Sequence, residues 1–265
     1  AVGLSIALSI GYKNFESLLE GAFEIDTHFK TADFKENIPV VMALLSIWYN
    51  NFYLAETEAV IGYSEYLERF PSYLQQLVME SNGKSIDRSG KNIDYQTGSI
   101  IWGSCGSNAQ HAFFQLIHQG TKLIPIDFIG FINPLLPQNT HHSKLMANLF
   151  SQVDALLAGR SKEEIGFMDI NDDERAYKYF AGNKPSTTIL FESLSPKSIG
   201  KLIALYEHKT FVQGVIWNIY SYVQFGVELG KQICSKIFDN NLKDLNEKEL
   251  FFTNQILNYY NKNKK

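Results

Sequence analysis

Glu80 closes the apolar run LQQLVME just before Asn82-Gly83. A carboxylate is electrostatically out of place there, because the C-terminal turn of a helix is the negative end of its dipole and favours a cation. Gln76 lies four residues earlier and shares the helix face with Glu80. The Asn82-Gly83 pair offers a tight turn that would fix the carboxylate in place. A partly buried glutamate held in this way is suited to proton transfer. The competing structural reading makes Glu80 a surface residue paired to Lys84.

Two further stretches carry groups that could do chemistry. In GSNAQHAFFQLIHQG, Ser107 and Gln110 fit the S-x-x-Q capping box. That box would put His111 near a helix N-terminus, where the dipole repels the imidazolium proton and leaves a neutral ring able to take and give a proton. His118, deeper in the same segment, reads as a packing residue. In VQFGVELGKQI, Gln224, Glu228 and Lys231 recur at i, i+4 and i+7, one polar stripe on a helix otherwise carrying Val227, Leu229 and Ile233. A solvated face is the plain alternative. The pair His141-His142 has no carboxylate or third histidine at ligand spacing, so no metal site is expected there.

The elements that must position these groups alternate along the chain. Residues 38–52 read as a buried helix and Glu58–Tyr63 (EAVIGY) as a strand rich in β-branched residues. Helix 66–80, with Pro71 in its first turn, strand 99–103, helix 107–119 and strand 122–128 follow. A helix over 141–158 presents Leu145, Leu149, Val153 and Leu156. The polar, acidic stretch after it has no clear period and reads as a surface excursion. Strand 187–191 comes next, then a long helix with Ser195 as N-cap and Pro196 at its first position. Helices over 225–237 and 247–260 finish the chain. Strands separated by helices of this length argue for parallel pairing with crossovers: an α/β fold, a layered, mostly parallel sheet flanked by helices, with C-terminal helices. Ligand groups are then expected at the carboxyl ends of strands.

Composition narrows the function classes. The 265 residues are 45% hydrophobic and 20% charged, an ordinary globular balance, and the net charge of −4 gives no concentrated basic surface for nucleic acid or an anionic membrane. No apolar run reaches the length of a membrane span, and the start lacks a basic n-region. Cys105 and Cys234 lie far apart with no metal-ligand spacing, so a reducing cytoplasm is the default location. The chain opens at Ala1 inside an apolar stretch with no capping residue, and the expectation is that further residues precede it. Residues 1–35 would then end a preceding domain or form an interdomain helix, 36–238 would form the α/β domain and 239–265 a helical tail.

The segments VMESNGKS, GSNAQHAFFQLIHQGTKLIPIDF, AGNKPSTTIL, LIALYEHKTFVQGVIWNI and QFGVELGKQ together resemble, in order, the C-terminal half of the glucose-6-phosphate isomerase family. The resemblance implies a second sugar-isomerase-type (SIS) α/β domain of an enzyme interconverting glucose 6-phosphate and fructose 6-phosphate in glycolysis and gluconeogenesis. By match of motif it makes Glu80 the base that moves a proton between C1 and C2 through a cis-enediol, and Gln76 a sugar contact. Lys231 and His111 become the ring-opening pair, and Gln224 a contact at the phosphate end. The resemblance implies no metal or organic cofactor, and a homodimer in which the histidine matching His111 serves the neighbouring subunit. The family's Gly-Gly-Arg segment and its Ser/Thr phosphate loop belong to an N-terminal half missing here, so the chain by itself is expected to be inactive. The alternatives are a non-catalytic sugar-phosphate-binding regulatory module, which would not need the Glu-His-Lys set, and a purely structural piece.

Overall fold

EAVIGY is apolar at successive positions, which a strand can be only if both of its faces are covered. The computed structural model describes residues 3–136, 140–168, 170–238 and 247–264. In it β1 (Thr57–Gly62) is an inner strand, with β2 (Ile100–Cys105) on one side, β3 (Ile126–Asn133) on the other and β4 (Ser186–Ser193) beyond β3. All pairs are parallel, with Thr57 opposite Ile100, Ala59 opposite Ile126 and Ile126 opposite Ser186. The order β2-β1-β3-β4 and the flanking helices make this the expected α/β fold.

Alternation along the strands divides the core into two layers. Ala59, Ile61, Ile126 and Phe128 face a layer closed by α5 (Gly106–Ala112), α6 (Phe114–Gln119) and α7 (His141–Ala158), through Ala109, Phe114, Ile117, Leu149 and Leu156. Val60, Ile101, Ile129 and Phe131 face the opposite layer, closed by α3 (Ile38–Ile47), α4 (Phe70–Leu74) and α10 (Pro196–Ile216). Ser195 caps α10 as expected, its hydroxyl accepting from the Ser198 amide at 3.1 Å.

Three local expectations are corrected. Strand β3 begins at Ile126 rather than at Lys122. Pro125 has no N–H to give the ladder and joins the sheet only through its carbonyl, which accepts from Ala59 at 3.0 Å. The segment 107–119 is two helices, broken at Phe113, whose φ of −144° is not helical. The acidic stretch contains α8 (Lys162–Gly166) and α9 (Asp172–Arg175). Ser161 and Glu164 close a reciprocal capping box on α8, a signal carried by RSKEE and independent of any hydrophobic period.

Helices α1 (Leu4–Ile10) and α2 (Tyr12–Thr31) precede the sheet. The stretch containing α2, expected to end a preceding domain or to form an interdomain helix, lies against α10: Gly21 and Gly200 let the two backbones approach so closely that a Cβ on either would sit 1.9 Å from a carbonyl oxygen of the other helix. Alanine in mid-helix ordinarily gains about 0.5–1 kcal/mol over glycine. Gly200→Ala is nevertheless expected to destabilise by about 1–3 kcal/mol, because backbone rather than a movable side chain must give way. An unchanged denaturant midpoint would show that the two helices are not in backbone contact.

Contacts divide the chain into one compact unit, Ala1–Tyr222, and a second, Val223–Lys265. The second carries α11 (Glu228–Phe238) and α12 (Glu247–Asn263). Among the described residues no helix is long and apolar enough to cross a membrane.

Candidate active site

Helix α4 runs without a break into a π-helical stretch, Gln75–Glu80. Such wide turns are rare and concentrate at functional sites. Here the stretch is pinned from within, because the Gln75 amide donates to the Ile101 carbonyl at 3.0 Å and Val78 is buried in the core cluster that includes Leu74 and Leu205. Gln76 is exposed and Glu80 half-buried.

The expected partner of Glu80 binds elsewhere. The Lys84 ammonium donates to the main-chain carbonyls of Glu80 and Ser81, both at 2.7 Å, and so supplies the cation that the helix end favours. Burial holds Lys84 below its usual range, opposed by the charge of Glu80. The Glu80 carboxylate itself has no hydrogen bond or ion pair among the described residues. A carboxylate left without a partner on a braced helix end is available to a ligand.

Residues beyond Glu80 make the brace. Asn82 is fully buried, and its amide donates to the Thr210 carbonyl at 3.0 Å and to Gln213 Oε1 at 3.4 Å while accepting from Ser221 Oγ at 2.5 Å. Thr97 closes the turn, accepting from the Lys84 amide at 3.2 Å and donating to the Lys84 carbonyl at 2.5 Å. Gly98, at φ +64°, lies directly on the backbone of Asn82 and Gly83, where no Cβ fits.

Under this helix end is a buried charged cluster. Glu58 and Asp127 open β1 and β3 on the same sheet face, and Lys209 of α10 reaches both, at 2.7 and 3.6 Å. The Tyr206 hydroxyl donates to Asp127 at 2.7 Å, Ser46 donates to Glu58, and the Gln213 amide donates to Ser46 at 2.7 Å. Gln213 thereby joins the cluster to Asn82. Burial works to raise the Glu58 carboxyl, but the charge of Lys209 and hydrogen bonds from Lys209, Ser46 and Ser99 bring it below its usual range. Burial leaves Asp127 raised, since Lys209 is farther away and Glu58 repels its charge. Lys209 is raised: its two carboxylates outweigh its burial. A cavity of about 60 Å³, lined by Ser46, Glu58, Asp127 and Lys209 among others, adjoins the cluster. The sequence signal was there to read: a charge inside each of the apolar runs TEAVIG and PIDFIG.

Glu80 and His111 are not brought together within one chain. Gln75 already lies at the second residue of β2, and Asn82 touches the last turns of α10, so Glu80 is at the amino ends of the strands, not at the expected carboxyl ends. His111 follows the carboxyl end of β2, on α5. The six residues of β2 set these ends roughly 17 Å apart at about 3.3 Å per residue. The capping box proposed for Ser107 and Gln110 is absent: α5 starts at Gly106, with Cys105 at its N-cap and no side-chain cap. His111 is exposed in the last turn of this seven-residue helix, not at the helix N-terminus expected for it. Gln110 instead accepts from the Asn148 amide at 3.0 Å, and the Tyr63 hydroxyl donates to Asn148 at 3.1 Å, tying α5 to α7 and α7 to the residue that follows β1. His118 is a packing residue, bonded to Gln152 at 2.8 Å and set edge-on to Phe180. His142 bonds to the Ile132 carbonyl at 3.0 Å.

Gln224 and Lys231 belong to the second unit. The expected continuous stripe is broken there, because Gln224, at φ −132° and ψ 56°, precedes the 3-10 turn Phe225–Val227 and is not helical. Glu228 and Lys231 are both exposed on α11.

The sequence model of the phosphoglucose isomerase family matches residues 1–253. A glucose-6-phosphate isomerase of Christiangramia forsetii is 59% identical over 98% of this chain and 49% of its own length; one of Syntrophus aciditrophicus is 52% identical over 99% and 48%. The chain thus spans about half the length of the curated relatives it matches. The crystal structure of a glucose-6-phosphate isomerase from Chlamydia trachomatis superposes with a TM-score of 0.81 at 40% identity, over 95% of this chain and 46% of that one. A match across nearly the whole sequence, carried by the same α/β framework that braces Glu80, identifies the chain as a member of the phosphoglucose isomerase family.

Proposed function

We propose that this chain contributes the proton-transfer and ring-opening groups of an enzyme that interconverts glucose 6-phosphate and fructose 6-phosphate. The observation that carries the reading is the unpartnered Glu80 carboxylate on a helix end whose dipole is already satisfied by Lys84. In the open-chain aldose, Glu80 takes the proton from C2, the electron pair left behind forms the C1–C2 double bond, and the former carbonyl oxygen O1 takes up a proton to give the cis-enediol. O2 then gives up its proton as C2 becomes the carbonyl, and Glu80 returns the carbon-bound proton to C1. One proton passes from C2 to C1 and one is gained at O1 for the one lost at O2, so atoms and charge balance without a redox partner. Gln76, on the same helix end, holds the sugar; His111 and Lys231 open the ring; Gln224 contacts the phosphate end. Phosphate itself is held chiefly by groups outside this chain.

The distance between the amino and carboxyl ends of the strands supports a homodimer in which His111 of one copy completes the site around Glu80 of another. Cys105 and Cys234 are both free, which suits a cytoplasmic location. The test uses the active enzyme containing this chain, with fructose 6-phosphate as substrate and coupled detection of glucose 6-phosphate. The parent is expected to turn over, and a parent that binds sugar phosphate without turnover would favour the non-catalytic sensor. Mixing inactive His111→Ala and Glu80→Gln subunits is expected to restore activity to about a quarter of the parent level. Random reassortment makes half the molecules heterodimers with one intact site of two, an arithmetic that presumes shared sites of this geometry. No recovery after subunit exchange would overturn the shared site.

A further inference from the structure

We infer that Asn82 is a positioning residue for the reaction: it fixes the Glu80 carboxylate by tying the end of the helix to α10 and to the loop before Tyr222. The inference rests on Glu80 being the base. A helix that merely stops needs only a left-handed glycine and its own loop to satisfy its last carbonyls. Here it stops on a fully buried asparagine whose side chain is used on both ends, donating to Thr210 and Gln213 and accepting from Ser221. Only a carboxamide offers two donors and an acceptor in one rigid plane of this size. An aspartate would set an acceptor against the Thr210 carbonyl and Gln213 Oε1.

The surroundings are shaped to the same contact. A Cβ on Gly214 would lie 1.9 Å from Ser221 Oγ and 3.3 Å from Asn82 Oδ1, so glycine at that place lets the serine reach the asparagine. The anchor continues through Gln213 and Ser46 to Glu58 and Lys209. Glu80, two residues before Asn82, therefore takes its position from α10, the main helix of its own layer, and not from its own turn alone. Misplacement of a reacting group by about 1 Å can cost about 10²-fold in rate.

The experiment measures kcat, KM and the share of the C2 hydrogen delivered to C1 rather than exchanged with deuterated solvent, in the active isomerase containing this chain. Asn82→Asp and Ser221→Ala are expected to lower kcat by about 10–100-fold and about 3–10-fold respectively, with KM within threefold of the parent. Both should change the share of hydrogen transferred, which a loss of folded protein alone would not do. Ser221→Thr, which keeps the hydroxyl, should restore the parental share. If Asn82→Asp does not fold, the Ser221 pair decides. Turnover and transferred share both at the parent value in folded Ser221→Ala, beside an inactive Glu80→Gln, would overturn this inference alone. An active Glu80→Gln would overturn the base assignment and this inference with it.

Discussion

Glu80→Gln is expected to lower turnover by about 10²–10⁴-fold with little change in substrate affinity, since that is the usual contribution of one positioned acid–base group. The substitution is nearly isosteric, and the structure says what it leaves alone. Lys84 binds the carbonyls of Glu80 and Ser81 rather than the carboxylate, so the helix end keeps its cation. No hydrogen bond to the Glu80 carboxylate is lost among the described residues, and Val78 and Asn82 continue to hold the turn from below. The unfolding midpoint should therefore stay within about 0.5 kcal/mol of the parent, as for a surface change that breaks no buried contact. A loss of rate without a loss of stability separates chemistry from folding. Turnover within threefold of the parent would sink the assignment.

The second large effect concerns stability. Lys209→Met removes the cation between Glu58 and Asp127 and leaves two carboxylates buried with hydroxyl donors only. Breaking a buried pair from one side costs about 3–5 kcal/mol. The sign with pH follows from the shifts. Glu58, lowered from 4.5 in the fold, contributes stability present above that value and lost as pH falls through its folded pKa. Lys209, raised from 10.5, contributes stability present below that value and lost as pH rises through its folded pKa. Asp127 is raised from 3.8, so its contribution is present at acid pH and lost as pH rises through the folded pKa, and at neutral pH it offsets part of what Glu58 supplies. Without Lys209, burial is opposed only by the hydrogen bonds from Ser46 and Ser99 to Glu58 and from Tyr206 to Asp127, and both carboxyls rise. The variant should then gain more stability than the parent as pH falls from 7 toward 5. Denaturant midpoints measured over that range check the claim; a loss under about 1 kcal/mol at pH 7, against the 3–5 expected of a broken buried pair, would mean that the cluster is not a coupled buried one.

Much of this was legible in the sequence, and for local reasons. EAVIGY, Ser195-Pro196 and the helical spacing of Leu145, Leu149 and Leu156 each report a backbone state or a buried face within a few residues, and the structure has β1, the cap of α10 and α7 there. The alternation of such segments was enough for a parallel α/β sheet, and the motifs from VMESNGKS to QFGVELGKQ were enough for the family. What periodicity cannot carry is where an element yields to its neighbours. Pro125 delayed β3, Phe113 split α5 from α6, and the anchoring of Gln75 on Ile101 accompanies a π turn in what the pattern read as an ordinary helix. The sequence singled out Glu80, His111, Gln76, Gln224 and Lys231 as types and spacings. Only the tertiary structure decided that Glu80 and His111 lie at opposite ends of the strands, and that Lys84 serves the helix carbonyls. It also decided that Glu58, Asp127 and Lys209, up to 151 residues apart, form one buried cluster. Strand order and crossover direction set those relations, and they act between residues that share no local pattern.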